Sequence, residues 1–305
     1  MPRRINSNPD MQHIQAHLGL MDRLGAYARL IRLDKPIGIF LLLWPTLWAL
    51  WIAADGLPNL KVLAIFCAGV FLMRSAGCAI NDYADRDIDP YVERTKTRPL
   101  AAGLISPREA LMVFALLSGL AFMLVFLLNS TTRLLSIGGL LLAASYPFMK
   151  RYHHLPQIHL GIAFAWAVPM AFTAQTGNFP THSGWMIFIA AILWTTAYDT
   201  MYAMADREDD LAIGVKSTAI LFGDADKVII ATLQAMMLLT LYLVGRDEQF
   251  GWPYFVGLVA AVLFSLYQQF LIRNRNPRDC FRAFLNNNYL GMAVFAGIAL
   301  DRALQ

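Results

Sequence analysis

The chain has 305 residues and a formal net charge of +4 at pH 7; 57% of its residues are hydrophobic and only 15% are charged. Soluble domains average about 25% charged residues, so this composition excludes an ordinary soluble domain and indicates a membrane protein. The length accommodates eight or nine spans of about twenty residues, with no room for a further large soluble domain. The basic residues lie in separate loops, which favours a role in membrane orientation over nucleic-acid binding.

The first 35 residues are polar and lack the short apolar core of a cleaved signal peptide. Apolar residues recur there at helical spacing with arginines between them, which predicts an amphipathic helix along the membrane surface. These residues are Leu18, Met21, Leu24, Ala28 and Ile31. His13 and His17 lack a further metal ligand nearby, so we interpret them as part of a solvated helix face. We expect a cytoplasmic N-terminal segment, residues 1–35, and a membrane domain, residues 36–305.

Apolar runs follow along the rest of the chain and predict an all-α, multi-pass membrane bundle of about nine transmembrane helices. They cover residues 36–54, 60–80, 108–128, 132–149, 157–175, 184–204, 226–244, 252–272 and 285–303. Glycine and proline inside several runs are compatible with this reading, because neighbouring membrane helices satisfy the backbone groups that such residues free. The last run carries three polar residues near its start, Asn286, Asn287 and Asn288.

The stretch after the second run, NDYADRDIDPYVERTKTRPLAAG, places four aspartates within eight positions. They are Asp82, Asp85, Asp87 and Asp89. Acids this close repel one another unless a cation lies among them. Arg94, Lys96 and Arg98 follow shortly after, which suggests that the cation carries an anion of its own. A divalent metal bound to a phosphorylated ligand meets both demands. If the helix continues past the membrane surface, Asn81 and Asp82 share one face with Asp85.

A second acidic stretch, residues 199–210, follows another apolar run. Asp199, Asp206, Asp209 and Asp210 stand at i, i+7, i+10 and i+11, which predicts a single helix face. Hard oxygen ligands of this kind suit Mg²⁺, whose shell is completed by water and substrate phosphates. A solvated loop with helix-capping aspartates would explain one such cluster. Two clusters on one side of the membrane, each with bases beside it, favour a magnesium–diphosphate site.

The distribution of Lys and Arg predicts the orientation. With a cytoplasmic N-terminus, twenty of these residues fall on the cytoplasmic side and four on the opposite side. The positive-inside rule therefore places both acidic stretches in the cytoplasm, where magnesium and phosphorylated metabolites are available.

Several further residues are candidates for the same site. Lys96, Arg98 and Arg151 are candidate clamps for a diphosphate or a carboxylate, although Lys150 and Arg151 also fit ordinary positive-inside anchors. Arg74 lies inside a predicted span at a cost of roughly 2.5–3.5 kcal/mol, so it faces a polar cavity or else snorkels to the surface. Tyr146 and Tyr198 end spans beside polar motifs, where they line the site or belong to an interfacial belt.

The sequence contains no P-loop, GxGxxG, nucleophile elbow or HExxH motif, which argues against nucleotide hydrolysis, nicotinamide redox chemistry and proteolysis. Instead, NDYADRDID, RTKTRPLAAG, YPFMKRYHHLPQ and YDTMYAMADREDD, followed by KSTAILFG, resemble the intramembrane UbiA-type prenyltransferases. The resemblance covers all but about the first twenty residues. Within this family, the chain resembles the branch that acts on 4-hydroxybenzoate in ubiquinone biosynthesis.

The resemblance implies a nine-helix bundle around a central cavity that opens to lipid. It implies Mg²⁺-dependent transfer of a polyprenyl group to the ring carbon ortho to the hydroxyl of 4-hydroxybenzoate, in a bacterial inner membrane. It implies that Asp82 and Asp85, with Asn81 and Asp89, hold Mg²⁺ from one motif, and that Asp206 and Asp210 hold it from the other. Asp199 is a further candidate metal ligand from the second acidic stretch. Arg151 would contact the aromatic acid or the diphosphate, with Lys96 and Arg98 assisting the leaving group. Arg32 is a further candidate for the benzoate carboxylate.

Two alternatives remain at this point. A prenyltransferase for another aromatic acceptor would share both acid motifs, because these motifs recognise the diphosphate. A membrane transporter of cations or phosphorylated solutes would also use intramembrane acids. The acids here gather at one surface instead of crossing the midplane, which favours the enzyme.

Overall fold

The computed structural model describes residues 19–92 and 94–305. The expectations for His13, His17 and Leu18 therefore lie outside the described residues. The described chain is helical and contains no strand. Its helices are α1 (Leu20–Leu30), α2 (Ile37–Ala53), α3 (Leu60–Asp85), α4 (Pro107–Val125), α5 (Ser130–Met149), α6 (Pro156–Ala165), α7 (Ala167–Thr176), α8 (His182–Ala205), α9 (Arg207–Ile213), α10 (Thr218–Phe222), α11 (Asp226–Asp247), α12 (Trp252–Ile272) and α13 (Pro277–Leu304).

The structure confirms the all-α membrane bundle, but it does not confirm the expected number of nine transmembrane helices. Each of the nine apolar runs overlaps a helix, and seven helical segments of the described chain are long and apolar enough to cross a membrane. They are Leu60–Asp85, Pro107–Val125, Pro156–Thr176, His182–Ala205, Thr218–Asp247, Trp252–Ile272 and Pro277–Leu304. Helix α2 is apolar but has only 17 residues, and α5 is not among the seven. Length and composition therefore support seven spans directly.

Helices α2 and α8 form the inside of the bundle. Helix α2 contacts α3, α7, α8 and α13, while α8 contacts α6, α11 and α13. The two inner helices meet at a pair of buried indoles, Trp48 and Trp194, whose ring centroids lie 5.2 Å apart. Helix α4 lies outside this core and packs mainly on α3, so most of its surface faces lipid.

The fifth apolar run forms two helices instead of one. Helix α6 ends at Ala165, Trp166 interrupts it, and α7 begins directly afterwards. Pro169 explains the position of the break, because a proline inside a helix clashes with the carbonyl of the residue four positions earlier. That residue is Ala165. The indole of Trp166 packs on Gly138 and donates from Nε1 to a backbone carbonyl of α5.

Helix α13 runs through the three asparagines, because each of them has a partner on another helix. The side-chain oxygen of Asn286 accepts from Gln268 at 3.0 Å. Asn287 and Asn288 accept from the indoles of Trp194 at 2.8 Å and Trp44 at 2.9 Å. A membrane interior tolerates polar side chains when they are bonded between helices. The asparagines therefore join α13 to its neighbours.

Helix α1 docks at one end of the bundle. Ala26 and Leu30 are buried against the segment between α3 and α4, while Leu20, Met21 and Leu24 are exposed. The docked side is reinforced by Glu109 at the start of α4, which accepts hydrogen bonds from Arg23 and Tyr27 at 2.6 Å each. The exposed apolar side is the one that the sequence assigns to the membrane surface.

Candidate active site

The first acid motif lies at the end of α3, which continues through Asp85 as the helical spacing predicts. Asp82 and Asp85 are buried, with exposed fractions of 1% and 3%. The Asn81 amide donates to Asp85 Oδ2 at 3.2 Å, so the two side chains share one face of the helix. Two carboxylates are thereby held out of water within one turn of each other.

Cations from three other parts of the chain neutralise these buried carboxylates. Arg32 Nη2 donates to Asp82 Oδ1 at 2.7 Å. Arg98 Nη1 lies 3.3 Å from the same oxygen. Lys150 Nζ lies 2.5 Å from Asp85 Oδ2. Buried charges persist in a folded protein when they are paired in this way.

Asp89 follows in a short 3₁₀ turn, Asp89–Tyr91, beyond the end of α3. Arg98 donates to both of its oxygens, at 3.1 and 2.9 Å. Burial raises the pKa of Asp89 to about 6, and Arg98 opposes this rise while Asp85 and Asp82 add to it. Burial therefore disfavours the charged form of Asp89 even with Arg98 in place.

The second acid motif does not form the single helix face expected from its spacing. Helix α8 ends at Ala205, and Asp206 leaves the helical conformation with φ −101° and ψ 4°. Helix α9 then begins with three acids in its first turn, Glu208, Asp209 and Asp210, where the helix dipole stabilises negative charge. Asp199 consequently lies on a different helix from Asp209 and Asp210.

Arg94 joins the two acid motifs. Its guanidinium donates to both oxygens of Asp206, with Nε to Oδ1 at 2.8 Å, and lies over the Tyr202 ring at 4.4 Å. Nearby, burial raises the pKa of Asp210 to about 7, and the charge of Asp206 adds to the rise. The segment between α3 and α4 is thus attached directly to the end of α8.

Two of the expected clamps lie further out. Arg151 is exposed and donates to the backbone carbonyl of Ala84, while its neighbour Lys150 contacts the Asp85 carboxylate. Lys96 is exposed on the segment between α3 and α4. The structure therefore brings Arg98 and Lys150 to the carboxylates, with Lys96 and Arg151 at the edge.

The remaining candidates lie on the membrane side of the motifs. The Tyr146 hydroxyl donates to Asn81 Oδ1 at 3.3 Å. Arg74 packs against Gly38, donates from Nη1 to Cys78 Sγ at 2.9 Å, and has a buried Nε with no hydrogen-bond partner in the described chain. Tyr198 is fully buried, and its hydroxyl also has no partner among the described residues. Unpaired polar groups at this depth are characteristic of ligand sites.

An apolar cavity begins beside Arg74 and Tyr146 and extends along α3. Its volume is about 160 Å³, and it is open on one side. Side chains of α2, α4, α5, α6 and α7 complete its wall. The α3 residues that line it are Ile65, Phe66, Gly69, Val70, Met73, Arg74 and Gly77. The stripe from Ile65 to Gly77 is about 18 Å long at 1.5 Å per residue, and Asn81 continues it one turn later.

A family model described as the UbiA prenyltransferase family matches residues 42–292. The chain belongs to this family. The buried carboxylates, the apolar cavity, Arg98 and Lys150 lie within the matched range, and Arg32 precedes it.

Relatives at high identity cover nearly the whole UbiA-family chain. The 4-hydroxybenzoate octaprenyltransferase of Nitrosococcus oceani is 60% identical over 281 residues, which is 92% of this chain and 98% of that protein. The protein of the same name from Ectopseudomonas mendocina is 58% identical over 292 residues, 96% of this chain and 98% of its own length.

Solved structures of UbiA homologs share the fold. The apo structure from Aeropyrum pernix K1 has a TM-score of 0.76 at 28% identity, over 87% of this chain and 97% of that one. A homolog from Archaeoglobus fulgidus, solved with GPP and Mg²⁺, has a TM-score of 0.67 at 19% identity, over 88% and 99%. The helices of this UbiA-family protein are therefore arranged as in its solved relatives.

The acid residues of this UbiA-family site fit a divalent cation. Asp82 Oδ2 and Asp85 Oδ1 are buried and have no hydrogen-bond partner in the described chain. Residues 19–92 and 94–305 contain no group of three or more His, Cys, Asp or Glu residues assembled to hold a metal alone. A Mg²⁺ ion at these oxygens would complete its shell with water and substrate phosphate, as it usually does.

Sequence reasoning missed the roles of two residues in this UbiA-family site. In the sequence, Arg94 is one of three bases after the first motif, and nothing local links it to Asp206, which is 112 positions away. Lys150 has the sequence position of a positive-inside anchor. Its position immediately before Arg151 was the available signal, because either residue of the pair can reach the end of α3.

Proposed function

We propose that this protein transfers a polyprenyl group from a polyprenyl diphosphate to the ring carbon ortho to the hydroxyl of 4-hydroxybenzoate, releasing diphosphate, in ubiquinone biosynthesis. The observation that carries this proposal is the apolar cavity along α3, which ends at two buried carboxylates surrounded by cations. Relatives at 55–60% identity named 4-hydroxybenzoate octaprenyltransferase support the substrates.

The two parts of a polyprenyl diphosphate match the two parts of the site. The tail needs an apolar surface, which the cavity wall supplies for its first part, and the head needs cations at one end of that wall. Helices α4 and α5 border the cavity and make few contacts with each other. We infer that the open side faces lipid between them, so that a long tail can extend into the bilayer.

The head group would lie between the two acid motifs. Asp82 and Asp85 from α3, with Asp206 and Asp210 across the site, would hold Mg²⁺, and Asn81, Asp89 and Asp199 would complete the set of ligands. Bound Mg²⁺ would supply Lewis-acid stabilisation of the charge that develops on the diphosphate. Arg98 and Lys150 would contact the departing diphosphate, with Lys96 and Arg151 at its solvent side, because preorganised cations stabilise developing negative charge.

The acceptor would lie between the head group and the tail cavity. Arg74 lines the cavity with an unpartnered Nε, so it would bind the carboxylate of the aromatic acid from inside the membrane domain. Arg32, which donates a hydrogen bond to Asp82, is an alternative partner for the carboxylate of the aromatic acid. Tyr146 and Tyr198 would border the ring. The apolar wall would exclude water from the allyl cation that forms when the carbon–oxygen bond ionises.

The acid motifs face the cytoplasm of a bacterial inner membrane in this proposal. Loops rich in Lys and Arg contact one another at the end of the bundle that holds the site, for example through Lys216 and Lys150. At the opposite end, Arg302 pairs with Asp55 and Glu248. Residues 1–35 would form a cytoplasmic segment whose helix α1 lies on the membrane surface, and residues 36–305 would form the membrane domain.

The test is product formation by purified protein in detergent with 4-hydroxybenzoate, a polyprenyl diphosphate and Mg²⁺. We expect prenylated 4-hydroxybenzoate that disappears on addition of EDTA and returns with excess Mg²⁺. Product that persists in EDTA would contradict the metal requirement. Magnesium-dependent binding of the diphosphate without any product would contradict the acceptor, and other aromatic acids would then be compared by competition.

A further inference from the structure

Two glycines of α3 face the cavity, and packing requires neither of them. A Cβ atom placed on Gly69 or on Gly77 would meet no atom within 4 Å, and both residues line the cavity. At some other helical glycines of this protein, an added Cβ atom would collide with a neighbouring helix. A Cβ on Gly161 would lie 3.0 Å from the Ile192 carbonyl oxygen, and one on Gly291 would lie 2.5 Å from the Trp44 ring. Those glycines permit close helix packing, whereas Gly69 and Gly77 border empty space.

Glycine inside a helix reduces stability relative to alanine, because it loses more backbone entropy on folding. Gly69 and Gly77 differ from other unpacked helical glycines because both line the cavity, so a side chain at either position would fill part of its empty volume. The same cavity wall carries Arg74 between the two glycines, with a buried Nε that has no partner in the described chain. The cavity wall therefore carries one charged side chain among its apolar residues, and it lies between the two glycines.

The two glycines lie at different depths. Gly77 precedes Asn81 by one helical turn, so it borders the part of a ligand next to the acid motif. Gly69 lies about 12 Å further along α3, at 1.5 Å per residue. A side chain at the first position would obstruct every prenyl tail, whereas one at the second would obstruct only a tail that extends that far.

We propose that Gly69 and Gly77 are specificity-determining residues that keep the tail cavity open, and that Gly69 sets the prenyl chain length that the cavity admits. This inference rests on the proposed function and deepens it. The two glycines of α3 would let the cavity accept a long prenyl tail, whereas the acid motifs would recognise the diphosphate.

The experiment compares geranyl diphosphate with octaprenyl diphosphate as donors for Gly69→Leu and Gly69→Phe. We expect the ratio of kcat/KM for the long donor to that for the short donor to fall by roughly tenfold or more, as apolar pockets discriminate on small size differences. Gly77→Leu should lower kcat/KM for both donors. Gly119→Phe is the matched control, because Gly119 is an exposed helical glycine of α4 that also has open space and does not line the cavity.

An unchanged ratio in Gly69→Phe, or an equal fall of the ratio in Gly119→Phe, would overturn the inference. The melting temperature in detergent shows whether each variant is folded. If Gly69→Phe does not fold, the smaller substitutions Gly69→Ala and Gly69→Leu provide the same test. If the wild-type protein made no product, the proposed function would fail. Magnesium-dependent binding of the two diphosphates, measured by calorimetry, would still decide whether Gly69→Phe selectively weakens the long one.

Discussion

The guanidinium of Arg94 binds both oxygens of the Asp206 carboxylate, across 112 positions of sequence. This pair connects the segment after the first acid motif to the break between α8 and α9. Because Arg98 on the same segment contacts Asp82 and Asp89, the segment is attached to both motifs at once. The geometry of the whole site therefore depends on the α3–α4 segment.

Replacing Arg94 should loosen this segment. We expect Arg94→Ala to lower kcat/KM by about tenfold to a hundredfold, since truncating one partner of a partly buried charge pair costs 2–5 kcal/mol and part of that is recovered by water. Arg94→Lys should restore less than full activity, because lysine cannot bind a carboxylate bidentately. Faster tryptic cleavage after Lys96 in Arg94→Ala would report the loosening directly. Arg86→Ala is the control, because the contacts of Arg86 are local, with exposed Asp87 at 3.5 Å and with the Tyr83 backbone carbonyl at 2.7 Å.

The carboxylates at the end of α3 should be essential. We expect Asp85→Asn to lower kcat by on the order of 10²–10³, the effect of removing one electrostatic stabiliser from an active site. Asp87→Asn is the matched control, since Asp87 lies two positions further on with its side chain exposed. Turnover at the wild-type rate by folded Asp85→Asn protein would refute the assignment of this carboxylate.

The bond between Trp194 and Asn287 should stabilise the bundle. Asn287→Leu leaves the indole N–H without its partner inside the membrane domain, and we expect a loss of about 0.6–2 kcal/mol. Thermal unfolding in detergent measures it as a lower Tm. The double variant Asn287→Leu with Trp194→Phe removes both polar groups, so part of the loss should be recovered. Losses that simply add would show that the two side chains do not interact.

Helix α1 should touch lipid with its exposed apolar side. A nitroxide attached at Leu24→Cys, in a variant without the native cysteines, should collide with lipid-soluble oxygen more often than with a water-soluble quencher. Arg29→Cys supplies the comparison, since Arg29 is exposed on the polar side of the same helix. Equal accessibility of the two labels to both quenchers would contradict a helix lying on the membrane surface.

Glu109 should hold α1 against the bundle. It caps α4 through Ser106 and accepts bonds from Arg23 and Tyr27, so Glu109→Gln removes one charge from three contacts. We expect a loss of roughly 1–2 kcal/mol, the usual range for a lost helix cap. Earlier tryptic cleavage after Arg23 would accompany it. Arg108→Gln changes the charge of the neighbouring exposed position and should leave both measurements unchanged.

Local features of the sequence were sufficient to predict much of this architecture. Apolar runs located the helices, and the three- and four-residue spacings placed Asn81, Asp82 and Asp85 on one face of α3. These features depend on residues within one or two turns of each other. The resemblance to the family assigns a metal-binding role to both acid motifs, and that assignment stays a prediction.

Tertiary partners account for what the sequence did not reveal. The spacing of the second motif predicts a single helix face, and this prediction is wrong because Asp206 leaves the helix, where Arg94 from a distant segment binds it. Lys150 and Arg151 are equivalent by composition, and only the approach of α5 to the end of α3 selects Lys150 for the Asp85 carboxylate. The break at Trp166 was foreseeable from Pro169, since its cause is local.

The open side of the cavity also determines how the protein encounters its donor. A molecule whose tail dissolves in the bilayer approaches by lateral diffusion, and it never has to cross water. Its relevant concentration is then a mole fraction in the membrane or micelle, since aqueous molarity does not describe a substrate confined to the apolar phase. Two preparations with the same total donor but different amounts of lipid should therefore give different apparent KM values, and turnover should fall when empty micelles dilute the donor.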